Sequence, residues 1–122
     1  MASRDVLKIS AYHYKQDHVS DGDFEKWFHE VLTPQWVALV KKHNVLRYTA
    51  TYTPSSFHVA LSSELSHVRP GWQMGGGDII LTYYVRGIDE MRALPTDPEY
   101  NQRGRVSEKA YIDASKGELR AG

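Results

Sequence analysis

The sequence predicts an α+β fold organised around one strand that is covered on both faces. Residues 79–85 (IILTYYV) are almost all β-branched or aromatic, as in an inner strand rather than a half-exposed edge. Two further runs favour strands: residues 6–15 alternate in polarity, and residues 45–53 are rich in Tyr and Thr and stop at Pro54. A short apolar run at residues 110–115 predicts the last strand, and the tail after it is expected to be loose.

Helices are predicted between these strands. The apolar side chains from Phe24 to Leu39 fall on one helical stripe, which Pro34 is expected to kink or break. Residues 55–65 predict a short helix inserted after the second strand. Residues 88–94 predict a brief helix that a proline ends, and residues 97–100 (DPEY) are expected to form a loop.

The order of these elements predicts the topology. A strand–helix–strand unit, a helical insert between strands 2 and 3, and a second such unit indicate a ferredoxin-like split βαβ domain over residues 1–122. Its four-stranded antiparallel sheet would carry helices on one face and leave the other face apolar and bare. Because a bare apolar face is unfavourable in water, a second copy of the chain is its expected cover. Two sheets packed face to face would form a homodimeric α+β barrel.

Composition limits the functional classes. Fifteen basic and fifteen acidic side chains cancel over the 122 residues, so charge predicts neither a nucleic-acid partner nor an anionic membrane partner. The chain has no cysteine, which excludes disulfides, thiolate catalysis and cysteine-based zinc sites. The six histidines show no metal-ligand spacing, so no metal site is predicted. No segment resembles a signal core or a membrane span, and a cytoplasmic protein without a cofactor is expected.

Several motifs, in this order along the chain, resemble the EthD-domain proteins of the dimeric α+β barrel superfamily. They are Phe24, Trp27, Phe28 and Pro34 in the first helix, then Trp72 and Met74 before Asp78, the loop at residues 97–100, and the terminal residues 111–113. The resemblance implies a cofactor-free homodimer whose ligand pocket lies between the sheet and its own helices. It also implies chemistry on aromatic polyketides, since fungal members act as decarboxylases in such pathways. More distant relatives are polyketide cyclases, one of which carries His at the position of Tyr100.

The polar face of the first strand is one candidate for a ligand-binding surface. Lys8, Ser10 and Tyr12 follow at period two, so their side chains share one face of the sheet. If this face meets the helices, Lys8 would bind a carboxylate beside the Ser10 hydroxyl, and Tyr12 would donate to a substrate oxygen as a catalytic group. If it lies at an open end of the sheet, the same side chains are simply hydrated. The sequence leaves both interpretations open.

The catalytic proton donor is expected from the helical insert. His58 and His67 lie there, and histidine is the side chain that ordinarily titrates near neutral pH, although each is also typical of a surface residue. Tyr100 is expected to polarise a substrate oxygen. His13 shares a strand face with Leu7, Ile9 and Ala11, which favours a dimer-interface or core histidine over a catalytic one.

Aromatic side chains suit a flat aromatic ligand. Three tryptophans and eight tyrosines are a large number for a domain of this size, although most are also typical of a core. The predicted substrate-binding residues of this kind are Phe24, Trp27, Trp72 and Tyr83. Asp97 is a further candidate, although the sequence favours a structural role in which it caps or braces the loop of Tyr100.

These features lead to the hypothesis of a cofactor-independent tailoring enzyme, a lyase of aromatic polyketide biosynthesis. The resemblance favours decarboxylation of an anthrone-type, β-keto or ortho-hydroxyaryl carboxylic acid, which requires an oriented carboxylate and a proton. A cyclase or dehydratase on similar substrates is the nearest alternative. A non-catalytic aromatic-ligand-binding protein and a cofactor-free monooxygenase are the others.

Overall fold

A computed structural model describes residues 6–72 and 77–121 of the chain. Its strands are β1 (Leu7–His13), β2 (Arg47–Tyr52), β3 (Ile79–Val85) and β4 (Glu118–Ala121). They form one antiparallel sheet in the order β2-β3-β1-β4, which confirms the predicted ferredoxin-like α+β fold. The apolar run is β3, and it lies inside the sheet between β1 and β2 as predicted.

Alternation along the strands gives the sheet two different faces. The face that contains the paired residues Ile9 and Tyr83 packs against the helices and forms the hydrophobic core. The face that contains the paired residues Ser10 and Thr82 points away from that core, and we call it the open face. Its members are Lys8, Ser10, Tyr12, Arg47, Thr49, Thr51, Ile80, Thr82, Tyr84, Glu118 and Arg120. The expectation of an apolar bare face is therefore wrong, because hydroxyl and charged side chains predominate there.

The first helical segment has three consecutive parts. These are α1 (Asp21–Trp27), a π-helical turn (Phe28–Leu32) and α2 (Thr33–Lys42). Ser20 caps the segment, since its side chain accepts a hydrogen bond from the backbone N–H of Asp23. The predicted irregularity at Pro34 takes the form of the π-helical turn just before it. A proline has no N–H to donate to the preceding turn, and the wider turn absorbs this loss without breaking the helix.

The predicted insert is a helix that packs loosely. It is α3 (Ser55–Val68), and none of its residues is buried against the described part of the chain. Its apolar side chains Phe57, Val59 and Val68 are exposed. The next helix, α4 (Ile88–Ala93), follows β3 as predicted.

The DPEY segment begins a helix and is not a loop. Residues 98–111 are helical, comprising Pro98 and Glu99, a second π-helical turn (Tyr100–Gly104) and α5 (Arg105–Tyr111). Asp97 precedes this helix, and its Oδ1 accepts a hydrogen bond of 3.0 Å from the backbone N–H of Tyr100. Pro98 stands in the first turn, where its missing N–H costs nothing. Asp-Pro is here a helix start signal, so the predicted loop at residues 97–100 is wrong.

The predicted last strand at residues 110–115 is also wrong. Tyr111 ends α5 and stacks on Trp27 with ring centroids 4.7 Å apart, while Ile112 makes only an isolated bridge to Lys15. The true fourth strand, β4, lies in the tail that was expected to be loose. Short apolar runs fit a buried helix end as well as a strand. Every residue of β4 is exposed, so the strand carries no burial pattern that could reveal it.

The core lies between the sheet and the helices. Its fully buried side chains come from both layers: Phe24, Leu32, Ile79, Leu81, Val85 and Leu94. Within residues 6–72 and 77–121, no helix has the length and apolar character needed to cross a membrane.

Candidate active site

A cavity of about 510 Å³ lies between the C-terminal end of β1 and helix α5. It is on the helix-covered side of the sheet, where the family resemblance places a ligand pocket. It combines one histidine, one tyrosine, one carboxyl group and two cationic side chains. The residues that line it are His13, Gln16, Tyr100, Arg105, Glu108, Lys109, Ile112, Ala114 and Gly117.

His13 is the side chain of the cavity that could accept a proton at neutral pH. Burial lowers the pKa of its imidazole below the usual 6.5, so the neutral form prevails at neutral pH. The His13 carbonyl accepts a hydrogen bond of 2.9 Å from the N–H of Asp78. A Cβ on the neighbouring Gly77 would come within 2.6 Å of the same carbonyl oxygen, so only glycine permits this close approach. The position of His13 is thus fixed by its backbone.

Tyr100 and Glu108 form the acidic group of the cavity. The Tyr100 hydroxyl donates a hydrogen bond to Oε2 of Glu108. Burial raises the pKa of Glu108, while hydrogen bonds from Tyr100 and Trp36 partly oppose this change. Burial, followed by the charge of Glu108, also raises the pKa of Tyr100, which therefore stays a proton donor at neutral pH. The pair can donate a proton, and it is partly shielded from water.

Asp97 anchors the helix turn that carries Tyr100. The Asp97 carboxylate accepts the backbone hydrogen bond of Tyr100 described above. It also lies 2.8 Å from Lys42 Nζ and 2.7 Å from His43 Nε2. Hydrogen bonds from Lys42 and His43 hold the pKa of Asp97 well below its usual value. The end of α2 is thereby tied to the start of the helix that bears Tyr100. The bracing role, which the sequence offered for Asp97 beside ligand binding, thus has direct contacts behind it. Ligand binding by Asp97 stays a prediction, and Asp97 does not line this cavity.

Gly104 makes room for the Tyr100 ring. A Cβ on Gly104 would lie 2.7 Å from Cδ1 of that ring. On another side, the Trp36 ring is tilted against Tyr100 at a centroid distance of 5.1 Å. The orientation of the Tyr100 hydroxyl thus depends on Asp97, Gly104 and Trp36 together.

Two further tyrosines extend this aromatic cluster over the sheet. Tyr83 is 3% exposed, and its ring lies 5.4 Å from that of Tyr48 and 5.9 Å from that of Trp36. Burial raises the pKa of both phenols. The buried Tyr48 hydroxyl has no hydrogen-bond partner among the described residues. Tyr83 does not line the cavity, and its contact with a ligand stays a prediction.

The polar residues predicted from the first strand do not reach the cavity. Lys8, Ser10 and Tyr12 lie on the open face, with the Ser10 hydroxyl 3.3 Å from that of Thr82. Of the two interpretations left open by the sequence, the one that turns them toward the helices is wrong. Successive side chains of a strand point to opposite faces of the sheet. His13 is therefore on the face that packs against the helices, and it reaches the cavity.

The insert residues lie elsewhere as well. His58 Nε2 is 3.2 Å from the Gly77 carbonyl oxygen and 3.9 Å from Asp78 Oδ1, at the base of α3. His67 is exposed near the other end of that helix, and Trp72 is exposed beneath the guanidinium of Arg69. None of these residues lines the cavity. Met74 of the Trp-x-Met motif lies outside the described residues.

The aromatic residues of the first helix belong to the core. Phe24 is fully buried. Trp27 is also buried, and its indole N–H donates a hydrogen bond of 2.9 Å to the Ser107 hydroxyl. Trp27 thereby connects α1 to α5, while the Phe24 ring packs against those of Trp27 and Tyr52. Neither residue lines this cavity, and their contact with a ligand stays a prediction.

Sequence reasoning missed His13 and Glu108 as site residues. His13 was assigned to the core because it alternates with Ile9 and Ala11, and that assignment of its face is correct. The sequence signal that could have indicated a site residue was a histidine at the end of the apolar face formed by Ile9 and Ala11. Glu108 lies in a polar stretch that gave no periodic signal, because the helix start at Asp97 was not recognised. Among the described residues, no cluster of three or more His, Cys, Asp or Glu side chains could hold a metal ion.

Comparison with known proteins places the chain in a family. No family model matches the sequence. The dehydratase iacD of Pestalotiopsis fici is 33% identical over 122 residues, which cover 100% of this chain and 88% of that protein. The chain belongs to the family of this dehydratase.

Solved structures show the same fold as this member of the iacD family. A dimeric ferredoxin-like protein from Bacteroides fragilis superposes with a TM-score of 0.64 at 13% identity, over 96% of this chain and 94% of that one. An EthD family protein from Bacillus halodurans superposes with a TM-score of 0.54 at 15% identity, over 97% of both chains. The resemblance to EthD-domain proteins is confirmed at the level of the fold.

Proposed function

We propose that this protein is a lyase that eliminates water from an aromatic β-hydroxy carbonyl compound of polyketide origin. The observation that carries the proposal is that His13 and the hydrogen-bonded pair Tyr100–Glu108 line one cavity. Elimination of water requires a base for a proton on carbon and an acid for the departing hydroxyl group. Burial lowers the pKa of His13, which favours the neutral form that a base needs, and it raises the pKa of Glu108, which favours the protonated form that an acid needs.

The reaction uses these groups in a defined order. The neutral imidazole of His13 removes the proton next to the substrate carbonyl, and the electron pair of that C–H bond becomes the new C=C bond. The bond to the β-hydroxyl breaks as protonated Glu108 delivers its proton, so water leaves. Tyr100 keeps its hydrogen bond to the carboxylate that forms. Proton return from His13 to Glu108 through solvent then restores the site.

Two lines of support favour dehydration over the decarboxylation that the sequence suggested. A relative covering the whole chain is named a dehydratase. In addition, Lys8, which was expected to hold a carboxylate for decarboxylation, points to the open face. The rings of Trp36 and Tyr100 beside the cavity suit a flat aromatic substrate. Decarboxylation and ligand binding without turnover stay as alternative predictions. A single assay distinguishes both of them from dehydration.

That assay is incubation of the purified protein with an aromatic polyketide-type β-hydroxy ketone and with a matched β-keto acid, followed by mass spectrometry. We expect enzyme-dependent loss of water from the first and no accelerated loss of CO2 from the second. The double variant His58→Ala/His67→Ala should retain the activity, since neither residue lines the cavity. Loss of CO2 alone would establish the decarboxylase instead, and binding without a product would support a carrier.

We further infer that the working form is a homodimer closed through the open faces of two sheets. The Bacteroides fragilis protein of the same fold is dimeric. The open face has partly buried Ile80 and Tyr84 side chains around the hydroxyl pair of Ser10 and Thr82. This arrangement would leave the cavity on the outside of the dimer, beneath α5, with each copy carrying its own His13 and Glu108.

A further inference from the structure

We infer that the substrate of this cavity carries an anionic oxygen group, and that Arg105 and Lys109 bind it. The inference rests on the proposed function for the acid role of Glu108, and it names the substrate class more closely. Both cations line the cavity together with His13 and Glu108. Being four residues apart on α5, they lie one helical turn from each other on the same side of that helix.

Neither cation forms an ion pair with a carboxylate of the described residues, although the charge of Arg105 partly opposes the burial that raises the pKa of the nearby Glu108. The Arg105 guanidinium lies 5.4 Å from the centre of the Tyr100 ring and donates a hydrogen bond of 3.4 Å to the Pro95 carbonyl. It makes no ion pair with a carboxylate in the described part of the chain. The Lys109 ammonium likewise has no ion pair or hydrogen bond to any described residue. Four other cations of the described chain, Lys42, Arg92, Lys116 and Arg120, each lie within 4.0 Å of a carboxylate.

The charge balance of the reacting site strengthens the inference. Four titratable groups besides Tyr100 line the cavity: His13, Arg105, Glu108 and Lys109. In the state that is ready to react, His13 is neutral and Glu108 is protonated. The two cations are then uncompensated, although the chain as a whole has no net charge. A substrate with a carboxylate or an ionised phenol restores neutrality at the cavity.

Chemistry identifies the class of the bound group. A guanidinium presents paired N–H donors that match the two oxygens of a carboxylate, and the lysine ammonium adds a second charge beside it. The planar guanidinium already lies over an aromatic ring, an arrangement that a flat aromatic acid can extend. A carboxylate and an ionised phenol share this recognition chemistry.

Binding of stable probes tests the inference without turnover. We would measure by calorimetry the dissociation constants of 2-naphthoate and of its neutral counterpart 2-naphthamide. For two partly exposed ion pairs we expect a preference of about tenfold for the acid, weakening at high salt. The variant Arg105→Gln/Lys109→Gln should bind both probes equally. The control Arg92→Gln removes an exposed charge on α4 and should keep the preference.

The outcomes separate the inference from the proposed function. Equal binding of acid and amide by the unaltered protein, combined with no charge-dependent binding of 2,4-dinitrophenol, would overturn the inference even if water loss is observed. A preference that survives in the double variant would overturn it as well. A preference lost only in the double variant would uphold the inference even if dehydration fails. 2,4-Dinitrophenol, which is ionised at neutral pH, distinguishes the two sources: tight charge-dependent binding of this probe but not of 2-naphthoate would assign the site to a phenolate.

Discussion

At the scale of single residues, the orientation of the Tyr100 ring depends on the absence of a side chain at Gly104. Replacing Gly104 by Ala would place a Cβ 2.7 Å from the Tyr100 ring, although alanine is the better helix former. We expect Gly104→Ala to destabilise the protein by about 1–3 kcal/mol through overpacking. Activity should fall further than stability, because the Tyr100 hydroxyl moves away from Glu108. Chemical denaturation and turnover measurements check both effects.

Gly22 in α1 provides the matched control. A Cβ there meets nothing within 4 Å. Gly22→Ala should therefore stabilise the protein by up to about 1 kcal/mol, because the unfolded chain loses freedom without any clash. If Gly104→Ala were as stable and as active as Gly22→Ala, the proposed fixing of the Tyr100 ring would be incorrect.

His13 predicts a pH dependence of stability. Its folded-state pKa lies below the ordinary 6.5, so the unfolded chain takes up the proton first as the pH falls. The stability associated with neutral His13 is present above about pH 6.5 and is lost as the pH falls through the folded pKa. The difference in unfolding free energy between the unaltered protein and His13→Asn should narrow from pH 7 to pH 5. Urea titrations at a series of pH values would show it, and a constant difference would mean that His13 is not buried as described.

The residues of the site were only partly predictable from the sequence. Tyr100 was a candidate because it stands in a recognisable motif, and it does line the cavity. Lys8 and Tyr12 were placed on the correct strand, but alternation cannot tell which face of a sheet meets the helices. Glu108 could not be found, because its role arises from burial and from hydrogen bonds with Tyr100 and with Trp36, and Trp36 is distant in sequence.

At the scale of elements, α3 differs from the other long helices because none of its residues is buried against the described chain. Its backbone hydrogen bonds should therefore open by local unfolding well before those of β3. Hydrogen–deuterium exchange should show α3 exchanging faster than β3 by several orders of magnitude. Protection of α3 equal to that of β3 would show that a partner covers it.

Element boundaries were predicted well where burial is periodic and poorly where it is not. The inner strand β3 was recognised from its composition alone, and the π-helical turn occurs where Pro34 indicated an irregularity. The helix after Asp97 and the edge strand β4 were missed. An N-cap and a turn start share the same residues, and an exposed edge strand is determined by its pairing with β1 rather than by its own side chains.

At the scale of the whole molecule, the chain order sufficed to predict the ferredoxin-like sheet, because few topologies satisfy two split βαβ units. The polarity of the open face could not be predicted, since β3 alone is apolar on both sides while its neighbours contribute Ser10, Thr49 and Thr51 to that face. A dimer closed through this face would thus have a core with many hydroxyl groups.

The proposed dimer predicts the effect of a charge at the centre of the open face. Thr82 lies there, 9% exposed within one chain. We expect the unaltered protein to sediment as a dimer and Thr82→Arg to sediment as a monomer with an unchanged circular dichroism spectrum. A monomeric unaltered protein, or a dimer that tolerates Thr82→Arg, would exclude assembly through the open face.

The central claim is that His13 and Glu108 are the base and the acid of one elimination reaction. The most direct test is the rate of water loss from an aromatic β-hydroxy ketone by the unaltered protein, His13→Asn, Glu108→Gln and the control His67→Asn. We expect each of the two site variants to lower kcat on the order of 10²–10⁴-fold, while His67→Asn retains full activity. Site variants as active as the control would contradict the claim.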